Sequence, residues 1–153
     1  MNRRDFTLSG LASVFVAYLL ARPAYAADYR LEVFKSPTCG CCTAWVEHMA
    51  RAGFDTVTRD VDLETLKIKK TNAGVSQELS SCHTAFIAGY FIEGHVAAKD
   101  VQRLLLERPD ALGLTVPGMP IGSPGMEMGN RRDAYDTLLV LGDGSTRVFT
   151  KTI

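Results

Sequence analysis

The sequence predicts an α/β domain, a sheet with flanking helices. Three observations carry this. Apolar residues switch between a period of two and a period near 3.6 along residues 29–107. Glycine and proline fall where one pattern gives way to the next. The resulting order of elements is β-α-β-α-β-β-α, a strand–helix alternation closed by a hairpin and a helix.

The elements follow in order. Residues 29–35 alternate, with Tyr29, Leu31, Val33 and Lys35 against Arg30, Glu32 and Phe34, and Ser36-Pro37-Thr38 ends this strand. Residues 41–52 have helical spacing, with Trp45, His48 and Met49 near one face and Gly53 as the stop. Residues 56–60 form a short β-branched strand. Residues 63–72 predict a lysine-rich helix with Leu63, Leu66 and Ile68 inward, closed by Gly74. Residues 84–88 and 90–93 read as a hairpin around Gly89. Residues 97–107 form an amphipathic helix that must end before Pro109. This is the thioredoxin arrangement, so the expected fold is thioredoxin-like α/β.

Residues 109–130 break the pattern. They hold four prolines, five glycines and three methionines with little periodicity, and predict an irregular segment pinned to the domain surface. Residues 135–141 and 146–150 then predict a second hairpin around Gly142-Asp143-Gly144-Ser145. The expected organisation is one domain over residues 27–153, with a C-terminal extension over 109–153.

Residues 1–26 predict a cleavable signal peptide. Arg3 and Arg4 precede an apolar stretch from Leu8 to Leu20, and Ala24-Tyr25-Ala26 is an Ala-x-Ala cleavage site. Arg3-Arg4-Asp5-Phe6-Thr7-Leu8 looks like a twin-arginine export signal, the ordinary Sec route being the alternative. The stretch is too short for a membrane span, so none is expected after cleavage. The mature chain of 127 residues carries 14 basic and 16 acidic side chains, a balance that offers nucleic acid no basic patch.

The four cysteines are Cys39, Cys41, Cys42 and Cys82, three of them within four positions. Cysteines that staple a fold would be spread along the chain, so this clustering predicts a site. Cys39-Gly40-Cys41-Cys42 lies between a strand and a helix, where the helix dipole and unpaired N–H groups favour thiolate. Cys39 and Cys42 have the spacing of a redox pair. Cys41 is superfluous to a dithiol exchanger and useful as a ligand for a soft metal such as Cu(I), zinc or an iron–sulfur cluster. Bridging thiolates would let the four cysteines hold more than one Cu(I). In the thioredoxin arrangement the loop before the third strand carries a cis-proline facing the dithiol. Here Cys82-His83-Thr84 occupies that loop, which brings Cys82 and His83 toward the Cys39–Cys42 helix.

The chain resembles the CopG family of periplasmic copper-resistance proteins. The resemblance lies in Ser36-Pro37-Thr38-Cys39-Gly40-Cys41-Cys42, Ser81-Cys82-His83-Thr84-Ala85, Ile92-Glu93-Gly94-His95-Val96, and the segment from Val116 to Glu127. It implies a thioredoxin-like fold, copper binding by the motif cysteines, and a role in copper handling in the bacterial envelope. The implied partners are copper ions and other periplasmic copper-handling proteins.

Thioethers are also soft donors, so Met119 and Met126 join His83 as further candidate ligands, with Met128 behind them. His95 is either a cap for the last helix or a ligand. His48 reads as exposed or half-packed, Trp45 as core, and Lys67, Lys69 and Lys70 as a solvated face. The leading expectation is a periplasmic protein that holds Cu(I) through its cysteines, with redox cycling. The alternatives are a thiol–disulfide oxidoreductase using Cys39 and Cys42, and a structural zinc site.

Overall fold

The computed structural model describes residues 30–153. The expected signal peptide, and Tyr29 of the first strand, lie outside the described residues. The elements are β1 (Arg30–Lys35), α1 (Gly40–Arg51), β2 (Asp55–Asp60), α2 (Leu63–Asn72), β3 (Thr84–Ile87), β4 (Tyr90–Gly94), α3 (Ala98–Glu107), β5 (Gly113–Val116), β6 (Tyr135–Val140) and β7 (Thr146–Thr152). The strands form one seven-stranded sheet in the order β2-β1-β3-β4-β5-β6-β7. β1 is parallel to β2 and antiparallel to β3, and β3 is antiparallel to β4. This is the expected thioredoxin-like unit.

Local chemistry explains the helices. Cys39 caps α1 in an extended conformation, and its carbonyl accepts the Thr43 N–H. Trp45 and Met49, four residues apart, share the buried face of α1. Asp62 caps α2 through its side chain, which accepts the Thr65 N–H at 2.7 Å. α3 buries Val101, Leu104 and Leu105 at helical spacing. Arg108 then adopts the left-handed conformation and Pro109 follows, so the helix ends there.

The sequence reading is corrected at two places. Leu63 is 75% and Ile68 51% exposed, and of the three residues expected inward on α2 only Leu66 is buried. Two residues subtend about 200° on a helix, so Leu66 and Ile68 cannot share a face. Second, the segment over 109–130 is not irregular throughout. Gly113–Val116 is β5, parallel to β4 and antiparallel to β6. Its four residues are all buried, so the short run Gly-Leu-Thr-Val shows no alternation of exposed and buried positions.

The extension therefore continues the central sheet. Asp100, buried on α3, accepts hydrogen bonds from the hydroxyls of Thr137 on β6 at 2.8 Å and Thr150 on β7 at 2.9 Å. That carboxylate fastens the last hairpin to the helix. Residues 117–134 form the irregular remainder, between β5 and β6.

Candidate metal centre

Two chain junctions build the site. Cys39 closes the turn after β1, and Cys41 and Cys42 lie in the first turn of α1. Cys82 lies in the loop entering β3. The four sulfurs lie within 4.8 Å of one another. Cys39 and Cys42 are joined in a disulfide, and Cys41 and Cys82 are free. Cys41 Sγ is 3.5 Å from Cys39 Sγ and 3.8 Å from Cys82 Sγ. Cys42 is fully buried and the other three are half-buried. Burial and the neighbouring Cys41 push the Cys82 thiol up to about 12, so without metal it is protonated at neutral pH.

A second group shares Cys82. It joins His83 and His95, with all three ligand atoms within 4.8 Å of one another. His95 Nε2 is 3.1 Å from Cys82 Sγ, and its Nδ1 is 2.8 Å from the Pro124 carbonyl. A carbonyl only accepts, so Nδ1 carries the proton and the Nε2 lone pair faces Cys82. His83 Nδ1 is 3.4 Å from the same sulfur, while its buried Nε2 has no hydrogen-bond partner. The His83 ring packs at 4.3 Å on Trp45 and at 5.2 Å, edge-on, against His95. Burial holds both imidazoles below the usual histidine range, His83 well below it. Neutral imidazole nitrogen and cysteine thiolate, formed when the metal displaces the thiol proton, are the donor types that Cu(I) and zinc accept.

His95 does not cap α3. That role falls to His48, whose Nε2 accepts the Ala98 N–H at 3.1 Å. The hairpin register was the signal that places His95: Thr84 faces Glu93 across β3 and β4, so two residues outward Cys82 faces His95.

The methionines lie on the extension. Met119 is 53% exposed and follows Gly118, whose N–H donates to the Ser80 carbonyl and whose carbonyl accepts the Ser81 hydroxyl. Met126 is half-buried and follows Gly125, which lies directly on α1. A Cβ on Gly125 would lie 2.7 Å from the Cys41 carbonyl oxygen, and its φ of +85° also demands glycine. Met128 is exposed. The extension thus covers the site from one side. On another side a groove of about 390 Å³ remains open, lined in part by Cys39, Cys82, Leu63, Leu66 and Lys67.

The lysines are corrected as a group. Lys67 is exposed as expected, but Lys69 sits 4.4 Å over the Phe34 ring. Lys70 is ion-paired to the fully buried Glu93. Burial raises the Glu93 carboxyl, and the Lys70 ammonium opposes that rise. His83 stands where a cis-proline was the expected thioredoxin feature, and no peptide bond among the described residues is cis.

Known proteins share this fold. The family described as "Protein of unknown function, DUF411" matches residues 79–126, which include Cys82, His83, His95 and Met119. No curated protein sequence matches the chain. A solved structure of copper resistance protein CopG, form 2, is 40% identical and aligns with a TM-score of 0.76, covering 82% of this chain and 98% of that one. Form 1 of that protein is likewise 40% identical with a TM-score of 0.76, covering 80% of this chain and 96% of that one. At that identity over nearly the whole length of the relative, the chain belongs to the CopG copper-resistance protein family.

Proposed function

We propose that this protein is an exported copper-binding protein of the bacterial envelope, with Cu(I) as its cargo. The observation that carries the reading is the group of four cysteine sulfurs within 4.8 Å of one another. Thiolates select soft cations and bridge them, so the reduced site holds more than one Cu(I). Cys39, Cys41, Cys42 and Cys82 are the principal ligands. His83, His95, Met119 and Met126 supply further soft or borderline donors. The setting is the periplasm, reached by the twin-arginine or Sec route with cleavage of residues 1–26, and the role is copper resistance, with hand-over to other copper-handling proteins.

The Cys39–Cys42 disulfide supports a redox-dependent capacity. A dithiol reductant that itself becomes a disulfide would supply the two electrons and two protons that convert it to two thiols, raising the number of available cysteine ligands from two to four. Reduced mature protein therefore binds several Cu(I) ions, and oxidised protein binds fewer. The test is copper stoichiometry under reducing conditions with Cys39, Cys41 and Cys42 all changed to Ser. Stoichiometry collapses in that variant, and full binding by it overturns the reading.

The same disulfide favours a second reading, thiol–disulfide exchange, in which Cys39 is the nucleophile and Cys42 the resolving thiol. Disulfide-exchange turnover by metal-free protein that survives Cys41→Ser but not Cys39→Ser would establish it. Absence of turnover excludes it.

A further inference from the structure

The pair of half-buried Lys70 and fully buried Glu93 has been given no role in the site so far. Glu93 on β4 is fully buried, and its carboxylate accepts from Lys70 Nζ, from the Thr84 hydroxyl and, at 2.6 Å, from the Ser81 backbone N–H. Lys70 Nζ also donates to the Thr84 hydroxyl at 2.9 Å. Taking such a pair out of water is costly, and well-packed apolar residues often replace one without loss of stability. Stability alone therefore does not account for it.

What the pair touches does account for it. Ser81 and Thr84 bracket Cys82-His83, and one carboxylate holds both ends of that short segment. The next residue along β4, Gly94, presses on the same segment. A Cβ there would lie 2.5 Å from the Ser81 Cβ and 2.7 Å from the Val116 carbonyl oxygen, and its φ is +70°. The residue after that is His95, with Nε2 at 3.1 Å from Cys82. One strand end thus anchors the Cys82 loop and delivers its imidazole neighbour.

We propose that Glu93, held by Lys70, is a positioning residue that sets Cys82 against Cys41 and His95. It touches no ligand sulfur and acts through Cys82. The inference rests on the copper reading.

The test compares Glu93→Ala and Glu93→Gln, each made in the full mature chain and in a Cys82→Ser chain. Cu(I) affinity is read by competition with a chromophoric chelator. The alkylation rate of Cys82 in reduced, metal-free protein is read with iodoacetamide, and Tm is read separately. Removing a group that orients a metal ligand typically weakens binding about 10–100-fold, and Glu93→Ala is expected in that range. Glu93→Gln keeps an acceptor for the Ser81 N–H and loses less. In the Cys82→Ser chain neither substitution weakens binding further, and in the metal-free chain Glu93→Ala speeds alkylation of Cys82. Leu139→Ala, a core change on β6, lowers Tm and leaves affinity and alkylation intact. Equal losses of affinity in both chains overturn the proposal, as does a fall in Tm with affinity and alkylation unchanged. If the reduced wild type binds no copper, the copper reading falls and the alkylation contrast still decides the positioning.

Discussion

The strand–helix unit over residues 30–107 and the extension over residues 109–153 serve the same site by different means. The first supplies side chains at the ends of regular elements: Cys39, Cys41 and Cys42 where β1 gives way to α1, Cys82 before β3, His95 after β4. The second supplies chiefly backbone and shape, with Met119 and Met126 as its candidate side-chain donors. The Pro124 carbonyl sets the His95 tautomer, Gly118 binds both serines before Cys82, and Gly125 rests on the first turn of α1. The difference teaches that one region supplies the cysteines and histidines of the site and the other chiefly sets how they are presented. Substitutions in the two regions should therefore divide between stability and presentation.

The largest effect belongs to the first region. Trp45 is fully buried, donates its indole N–H to the Val96 carbonyl at 2.8 Å and backs the His83 ring. Trp45→Ala is expected to cost about 3–5 kcal/mol in urea denaturation, the range for deleting a large core aromatic. Should it unfold the chain only above the wild-type midpoint, the tryptophan is not the keystone of this packing.

Gly125→Ala tests the second region. The added methyl collides with the α1 backbone in a conformation that already disfavours a side chain, which should cost about 1–3 kcal/mol. Its distinctive readout is presentation: faster alkylation of Cys41 in reduced protein and faster proteolysis within residues 117–134. Unchanged rates would mean that the extension does not cover the cysteines.

Proton linkage probes the first region on a smaller scale. Burial depresses His83 well below its ordinary 6.5, so the unfolded chain takes up a proton that the folded chain refuses. That contribution to stability is present above pH 6.5 and is lost as pH falls below it. His83→Phe should flatten the decline of Tm on the acid side. Cys82 acts at the other end: its thiol titrates at about 12 when folded and near 9.0 when unfolded. Its contribution is present below pH 9 and is lost between about 9 and 12, and Cys82→Ser should remove that alkaline slope.

The smallest effect is expected at Leu63, which is 75% exposed beside the open groove. Leu63→Gln should change stability by no more than about 0.5 kcal/mol, as for other exposed positions. A larger loss would show that α2 packs through that residue after all.

Legibility followed the same division. The seven elements from β1 to α3 were readable because their apolar residues repeat at the period of the structure they form, and the cysteine cluster was readable because its spacing is local. Lys70 was not: three nearby lysines look alike in sequence, and only the position of Glu93 on a strand distant in sequence singles out one of them. β5 was hidden for another reason, since burial on both faces removes the alternation that marks a strand. His95 stood between the two, because its role needs the β3–β4 register and the Pro124 carbonyl together.

The sequence by itself determined the thioredoxin-like order, the clustering of Cys39, Cys41 and Cys42, and the nomination of Cys82 and His83 as their partners. Periodicity, capping and short spacings are properties of neighbours in the chain, and neighbours are what a sequence displays. Only the tertiary structure decided that His95 faces Cys82, that Glu93 grips the Cys82 loop through Ser81 and Thr84, and that Gly125 covers α1. Those relations join residues 9–84 positions apart, many through backbone carbonyls and N–H groups that every residue carries alike. Such groups acquire meaning only when the sheet brings them together.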